Sequence, residues 1–265
     1  MIKSRIVVGV DGSDQAAAAV GWAAAEAARR GAGLRLMAAY YRESSRPGWS
    51  STRTAEEHAA GHLRRAAAQA HAAAPGIEVR CLAVLGYAVP MLVHAAGEAA
   101  MVVVGSRHEG GLPFLPFGSV SSQVATQAGC CVVVVRGHYD PEAGPVVAGL
   151  GDGAATAAVT GRAFEEASLH HADLEAVTAG DRRRAEDPTG AGLDAELDPW
   201  REKFPGVRAS REFVDGRADK VLVQRSRSAR LVVVGPRTHG YQGLMLGSVG
   251  SRLLQRSGCP VLIAR

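Results

Sequence analysis

Two short stretches of this 265-residue chain carry residue types that could hold a phosphorylated ligand. The first is Asp11-Gly12-Ser13, directly behind the apolar run Ile6-Val7-Val8-Gly9-Val10. A carboxylate there could meet a ribose hydroxyl or a metal ion. Asp-Gly and Ser also make a good turn and helix cap, with no ligand required. The second is Gly105-Ser106-Arg107-His108-Glu109-Gly110-Gly111, then an apolar loop, then Gly118-Ser119-Val120-Ser121 at the start of a helical pattern. Glycine after a buried strand lets the backbone approach a ligand closely. A Gly-Ser pair at a helix start offers N–H donors, a hydroxyl and the positive end of the helix dipole, which is the chemistry a phosphate needs. The plainer account is a surface loop ending in a serine cap.

The elements around these stretches follow from hydrophobic periodicity. Strands are expected at 5–10, 34–40, 77–84, 101–104 and 131–136. The expected helices run from Ser13 or Asp14 to Arg30, then over 52–73, 89–99 and 118–127. Gly31 suits a helix C-terminus, and Pro75-Gly76 ends the second helix. Further strands are expected at 146–150, 174–178, 207–214, 231–234 and 261–264. Apolar strands alternating with helices predict a buried parallel sheet in a doubly wound α/β fold. In a Rossmann-like strand order of 3-2-1-4-5, the first and fourth strands are neighbours where the winding reverses. Ligands bind at that point, so the loops after Val10 and Val104 would face each other.

The chain also repeats itself. An offset of 140 places Gly9 on Gly149, Gly21 on Gly161, Glu26 on Glu166 and Leu34 on Leu174. An offset of 130 places Gly86 on Gly216, Leu92 on Leu222, Val103 on Val233 and Gly105 on Gly235. An offset of 129 places Gly118-Ser119-Val120 on Gly247-Ser248-Val249. Two domains are expected, 1–137 and 144–265, around a linker at 137–145 that holds Asp140-Pro141 and Gly144-Pro145. The drift in offset implies that the second copy lost about ten residues after its second strand. One more is gone from its glycine-rich loop.

Taken together, Val10-Asp11-Gly12-Ser13, the run Val-Val-Val-Gly-Ser-Arg ending at Arg107, and the loop closing on Gly-Ser-Val-Ser resemble the universal stress protein family in its tandem form. The likeness covers nearly all of both halves. Nucleotide-binding members of that family carry Gly-x2-Gly-x9-Gly-Ser/Thr and bind ATP, usually with a divalent metal. The resemblance therefore implies ATP, or a related adenine nucleotide, with magnesium in the first domain. Asp11 would meet the ribose or the metal, and backbone near Ala39 the adenine. Gly105, Gly118, Ser119, Val120 and Ser121 would surround the phosphates, beside Arg107. His108 stands at the second glycine position, where histidine is among the residues tolerated at positive φ. In the second domain Asp152, Gly235, Gly247 and Ser248 form a weaker counterpart. Gly151 replaces the acid, Pro236 deletes a backbone donor, and Thr238 replaces the second glycine. The resemblance also implies a stress-response sensor or regulator. No dedicated general base or second-substrate pocket is readable, and slow ATP hydrolysis stays open. The alternative is an interaction protein whose clefts His108 and Thr238 plug.

Other chemistry is less well supported. Gly149-Leu150-Gly151-Asp152-Gly153-Ala154 matches a dinucleotide fingerprint, but Asp173 and Glu175 lie at the wrong end of their strand for its acid. His170 and His171 are adjacent, so they diverge on a helix. Cys81, Cys130, Cys131 and Cys259 read as buried structural thiols. Trp49 reads as a loop tryptophan, and Trp22, Met91, Leu92, Leu253 and Leu254 as core. Net charge is +4, with 47% hydrophobic and 21% charged residues. The one basic run, Arg182-Arg183-Arg184, is flanked by acids and lacks aromatic neighbours, so no nucleic-acid partner is expected. No apolar run reaches the roughly 20 residues of a membrane span. No secretory signal is expected, and the cytoplasm is the expected compartment. The last strands, Cys131–Val135 and Pro260–Ile263, are too apolar for open sheet edges. They are expected to pair with each other or in a homodimer.

Overall fold

The computed structural model describes residues 5–41, 52–106, 119–137, 144–151, 155–181, 191–236 and 246–265. The chain divides into two compact units, Met1–Val135 and Arg136–Arg265.

Unit 1 contains, in order, β1 (Arg5–Gly9), α1 (Asp14–Arg30), β2 (Gly33–Tyr40), α2 (Thr52–Ala73), β3 (Val79–Leu85), α3 (Ala88–Ala96), β4 (Met101–Gly105), α4 (Val120–Gln127) and β5 (Cys131–Val135). Its strands lie in the order β3-β2-β1-β4-β5, and every pairing is parallel. β1 is central: Val8 stands opposite Leu36 on one side and Val103 on the other. Ile6, Val7, Val8, Val102 and Val103 are almost wholly buried, because helices cover both faces of a parallel sheet. α1 starts where Ser13 accepts the Ala16 N–H. It stops where Gly31 turns left-handed (φ 59°) and donates to the carbonyls of Ala27 and Ala28.

Unit 2 contains β6 (Val146–Leu150), α5 (Thr156–Leu169), β7 (Leu174–Gly180), α6 (Ala191–Lys203), β8 (Ala209–Asp215), α7 (Ala218–Arg225), β9 (Leu231–Val234), α8 (Ser248–Arg256) and β10 (Val261–Ile263). Its order is β8-β7-β6-β9-β10, again parallel throughout. Each unit is thus a doubly wound α/β sheet of order 3-2-1-4-5.

Several repeated identities turn out to be packing requirements. A Cβ on Gly9 would come within 3.0 Å of Leu92, and one on Gly149 within 2.6 Å of Leu222. The strand glycine thus makes room for the same helix leucine in both copies. Glu26 and Glu166 are both fully buried. Glu26 is paired with Arg30, and Glu166 lies 3.9 Å from His170 Nε2.

One expectation is sharpened and three need correction. The residues missing from unit 2 come out of a helix: α2 has 22 residues and α6 has 13. The offset of 130 aligns α6 with the second half of α2. Cys81 is exposed, since β3 is the outermost strand of its unit, whereas Cys130, Cys131 and Cys259 are buried free thiols. His170 and His171 are not on a helix. α5 ends at Leu169, His170 caps it, and His171 takes the left-handed position (φ 49°) that Gly31 takes in unit 1. β7 runs on to Gly180, so Asp181 directly follows it. Trp49, the linker at 138–143 and Arg182-Arg183-Arg184 lie outside the described residues. No helix among those residues is long and apolar enough to cross a membrane.

Candidate functional site

Placing β1 between β2 and β4 brings three loops together at the carboxyl ends of the strands. A cavity of about 110 Å³ lies there, lined among others by Asp11, Ser13, Ala39, Gly105, Val120 and Ser121. The exposed Asp11 carboxylate accepts from the Ser13 N–H (3.0 Å) and the Ser13 hydroxyl (2.6 Å) through one oxygen, Oδ1. Ser13 in turn caps α1. The turn-and-cap account of Asp11-Gly12-Ser13 is therefore met, and the same geometry sets a carboxylate on the cavity wall.

The α4 start supplies hydroxyls and N–H groups. Ser119 is its N-cap and accepts the Ser122 N–H at 3.2 Å. Its hydroxyl also lies 2.8 Å from that of Ser121 and 3.2 Å from that of Ser122. Three hydroxyls thus cluster at the positive end of a helix dipole, which favours an anion. Gly105 has a packing reason beside any ligand role. A Cβ there would stand 2.5 Å from the backbone carbonyl of Gln15, so only glycine lets α1 begin this close to β4.

Unit 2 has a larger cavity, about 300 Å³, lined among others by Gly151, Thr156, Leu222, Gly235, Pro236, Gly247 and Ser248. No ionisable side chain is among its described lining residues. The Thr156 hydroxyl donates to the Gly151 carbonyl. Gly-Ser-Val recurs, yet the cap shifts by one residue. Gly247 is the N-cap of α8, with no side-chain hydrogen bond, and Ser248 is already helical.

A model of the Universal stress protein family matches residues 3–136 and again residues 144–265. The chain belongs to the universal stress protein family. A universal stress protein of Mycobacterium tuberculosis is 33% identical over 288 residues, which cover 98% of this chain and 96% of the relative. One from Mycolicibacterium smegmatis is 32% identical, with the same coverage of both. The crystal structure of a universal stress protein from Archaeoglobus fulgidus aligns with a TM-score of 0.75 over 99% of this chain and 96% of that one. At 18% identity, that likeness speaks for the fold alone.

In this tandem universal stress protein, the structure brings Asp11, Ala39, Gly105, Val120 and Ser121 to one cavity, with Ser119 capping the adjoining helix. Gly235, Gly247 and Ser248 line the second cavity. Arg107, His108, Gly118, Asp152 and Thr238 lie outside the described residues. Pro236 does delete a donor, but a structural one. Its counterpart Ser106 gives its N–H to the Val135 carbonyl (2.9 Å), so the loss falls on the sheet.

Other residues near the sites gave no sequence signal. His62 of α2 packs its ring where a Cβ of Gly12 would be (φ 84°), and Arg65 Nη2 lies 2.8 Å from its Nδ1. That backs the Asp11 turn. Their separation along the chain hid the contact. In unit 2, Asp219 is buried at the start of α7, bound by Arg217 Nε (3.0 Å) and Nη2 (3.1 Å), with Arg252 at 3.6 Å. The Arg217 hydrogen bond holds the Asp219 carboxyl below its ordinary range. Burial pushes the Cys259 thiol up to about 12, so it stays protonated at neutral pH.

Proposed function

We propose that unit 1 binds ATP or a related adenine nucleotide together with magnesium, and that the chain acts as a stress-response sensor or regulator. The observation that carries this reading is the convergence of an exposed carboxylate and a three-serine helix start on one cavity. The residues fit both parts of such a ligand. A serine-capped helix start suits phosphate oxygens. A single carboxylate beside them suits magnesium, which is commonly held by one or two carboxylates plus substrate phosphates. Magnesium would neutralise phosphate charge there. Family membership supports the reading, because nucleotide-binding members share the motif pattern that Asp11, Gly105 and Gly118-Ser119 resemble.

Chemistry ranks the two units, and volume does not. Unit 2 has the larger cavity but no described carboxylate in its wall and no hydroxyl cap on its helix. Titrating the full chain with ATP and magnesium is expected to show one dominant site. Asp11→Ala should weaken it about tenfold, the effect of losing one charge-assisted contact of roughly 1.4 kcal/mol. Unchanged affinity in that variant, or two sites of equal affinity, would sink the assignment. Heating the purified protein and reading the released ligand near ~260 nm tests the same point.

A further inference from the structure

The large exposed apolar side chains among the described residues are Tyr41, Leu82, Leu85, Tyr87 and Val120, and all belong to unit 1. Four of these five stand at the carboxyl ends of its strands or at the start of α4, beside the cleft. Val120 lines the cavity itself. Tyr41 directly follows β2, two residues beyond Ala39, which lines the cavity. Tyr87 is the N-cap of α3, directly before Ala88 in the cavity wall. The two rings approach to 5.7 Å between centroids at 31°, yet Tyr41 remains 55% exposed and Tyr87 71%. Packing against each other therefore leaves most of both rings in water.

The second unit shows what this edge looks like without them. Met37 and Val177 hold the same place beside the central strand, opposite Gly9 and Gly149, so Tyr41 corresponds to Asp181. Leu85 pairs with Tyr40 as Asp215 pairs with Gly180, and Gly86 and Gly216 follow with φ of 137° and 138°. Tyr87 therefore corresponds to Arg217, the N-cap of α7. The ordinary surface solution at these positions is charged. The aromatic one occurs in the unit whose cavity carries the carboxylate.

We infer that Tyr41 and Tyr87 form a stacking platform for the planar base of a nucleotide at the mouth of the unit 1 cleft. The inference rests on the nucleotide reading above and deepens it. The cavity, at about 110 Å³, is well below the ~300 Å³ at which small-molecule clefts begin, so part of the ligand must lie outside it. The strand order says which part lies where. α4 and its serines follow β4, Asp11 follows the central β1, and the tyrosines follow β2 and β3. A nucleotide laid across these strand ends has phosphates at the serines, ribose at Asp11 and base on the rings. Aromatic side chains offer any planar base a stacking face, and Tyr87 in particular is open to one.

The test uses the full chain and calorimetric titration with ATP, adenosine and inorganic tripolyphosphate, each with magnesium. Wild-type binding of ATP tests the parent reading. The platform is tested by the pair Tyr41→Ala/Tyr87→Ala, with Tyr41→Phe/Tyr87→Phe as the variant that keeps the rings. The alanine pair is expected to lose about tenfold or more in affinity for ATP and adenosine, within the range for a stacked base. Tripolyphosphate affinity should stay unchanged, and the phenylalanine pair should bind like wild type. Wild-type ATP affinity in the alanine pair overturns the platform while leaving the parent reading intact. An equal loss for ATP and tripolyphosphate also overturns it, because the rings would then be shaping the cleft as a whole. A wild-type chain that binds none of the three ligands overturns the parent reading and the platform with it.

Discussion

The two units solve the same folding problem and present different surfaces at the same sheet edge. Both keep the strand glycine under a helix leucine, Gly9 with Leu92 and Gly149 with Leu222, and both keep a buried glutamate one helix turn from its partner. At the carboxyl edge they part. Unit 1 has Asp11, a serine-capped α4 and two exposed tyrosines, where unit 2 has Gly151, a glycine-capped α8, Asp181 and Arg217. Identity at Gly9/Gly149 and Glu26/Glu166 therefore marks packing, and the side chains that differ at the carboxyl edge set the chemistry of each cleft. Such a split is expected when a duplicated fold must bury its core twice while the loops at its sheet edges are free to differ.

Glycines 105 and 235 offer the sharpest break of that comparison. They match in sequence, but a Cβ on Gly105 meets the Gln15 backbone at 2.5 Å, and one on Gly235 meets the Ala155 methyl at 2.9 Å. Backbone cannot yield without moving the start of α1. Gly105→Ala should cost about 3 kcal/mol, at the upper end for overpacking, and Gly235→Ala about 1 kcal/mol. Urea unfolding measures both. Equal losses would mean that the two glycines serve one purpose, and the packing account of Gly105 would fail.

The next contrast lies in how the outer helix is fastened. In unit 1, α2 reaches α1 through Gln69 Nε2, which donates to the Ala17 carbonyl at 2.7 Å. The shorter α6 uses a ring stack. Trp200 lies 6.5 Å from Phe164 and 6.3 Å from Phe204, and its ring sits 2.5 Å from where a Cβ of Gly161 would be. Aromatic area substitutes for helix length. Trp200→Ala should cost about 2–3 kcal/mol, somewhat under a fully buried aromatic because the residue is only partly buried. Gln69→Ala should cost about 1 kcal/mol. The ranking reverses if the length of α2, and not its neighbour contacts, holds unit 1 together.

Much of this architecture was legible because local rules and the global fold agree. The apolar runs around Val7 and Val103 could only be buried strands, and Ser13 and Gly31 both occupy the cap positions their chemistry favours. Asp11, Ala39 and Ser121 could be placed together because strand order alone joins their loops. What escaped was set by partners distant in the chain. The exposure of Cys81 follows from β3 being outermost, which no property of Val79–Leu85 announces. The offset showed that about ten residues were missing, but only the length of α6 showed that a helix had lost them. The tyrosines pair only once β2 and β3 are in register. Pro236 looked like a lost ligand donor because its counterpart's bond to Val135 belongs to the sheet.

The helix starts give the finest version of the comparison. Gly118-Ser119-Val120 and Gly247-Ser248-Val249 are identical, yet Ser119 caps α4 and Gly247 caps α8. In unit 1 the cap hydroxyl takes the Ser122 N–H; in unit 2 the matching serine is inside the helix, and Ser251, the counterpart of Ser122, points its hydroxyl at the Leu246 carbonyl. Ser119→Ala should therefore cost about 1 kcal/mol, the loss of a working cap. Ser248→Ala should cost almost nothing, since alanine is at least as good a helix former. Gly247→Ser should gain a few tenths of a kcal/mol by supplying the missing hydroxyl. Thermal unfolding of the three variants reads the differences. If Ser248→Ala proves as costly as Ser119→Ala, the one-residue shift is wrong, and the second unit keeps the cap geometry of the first.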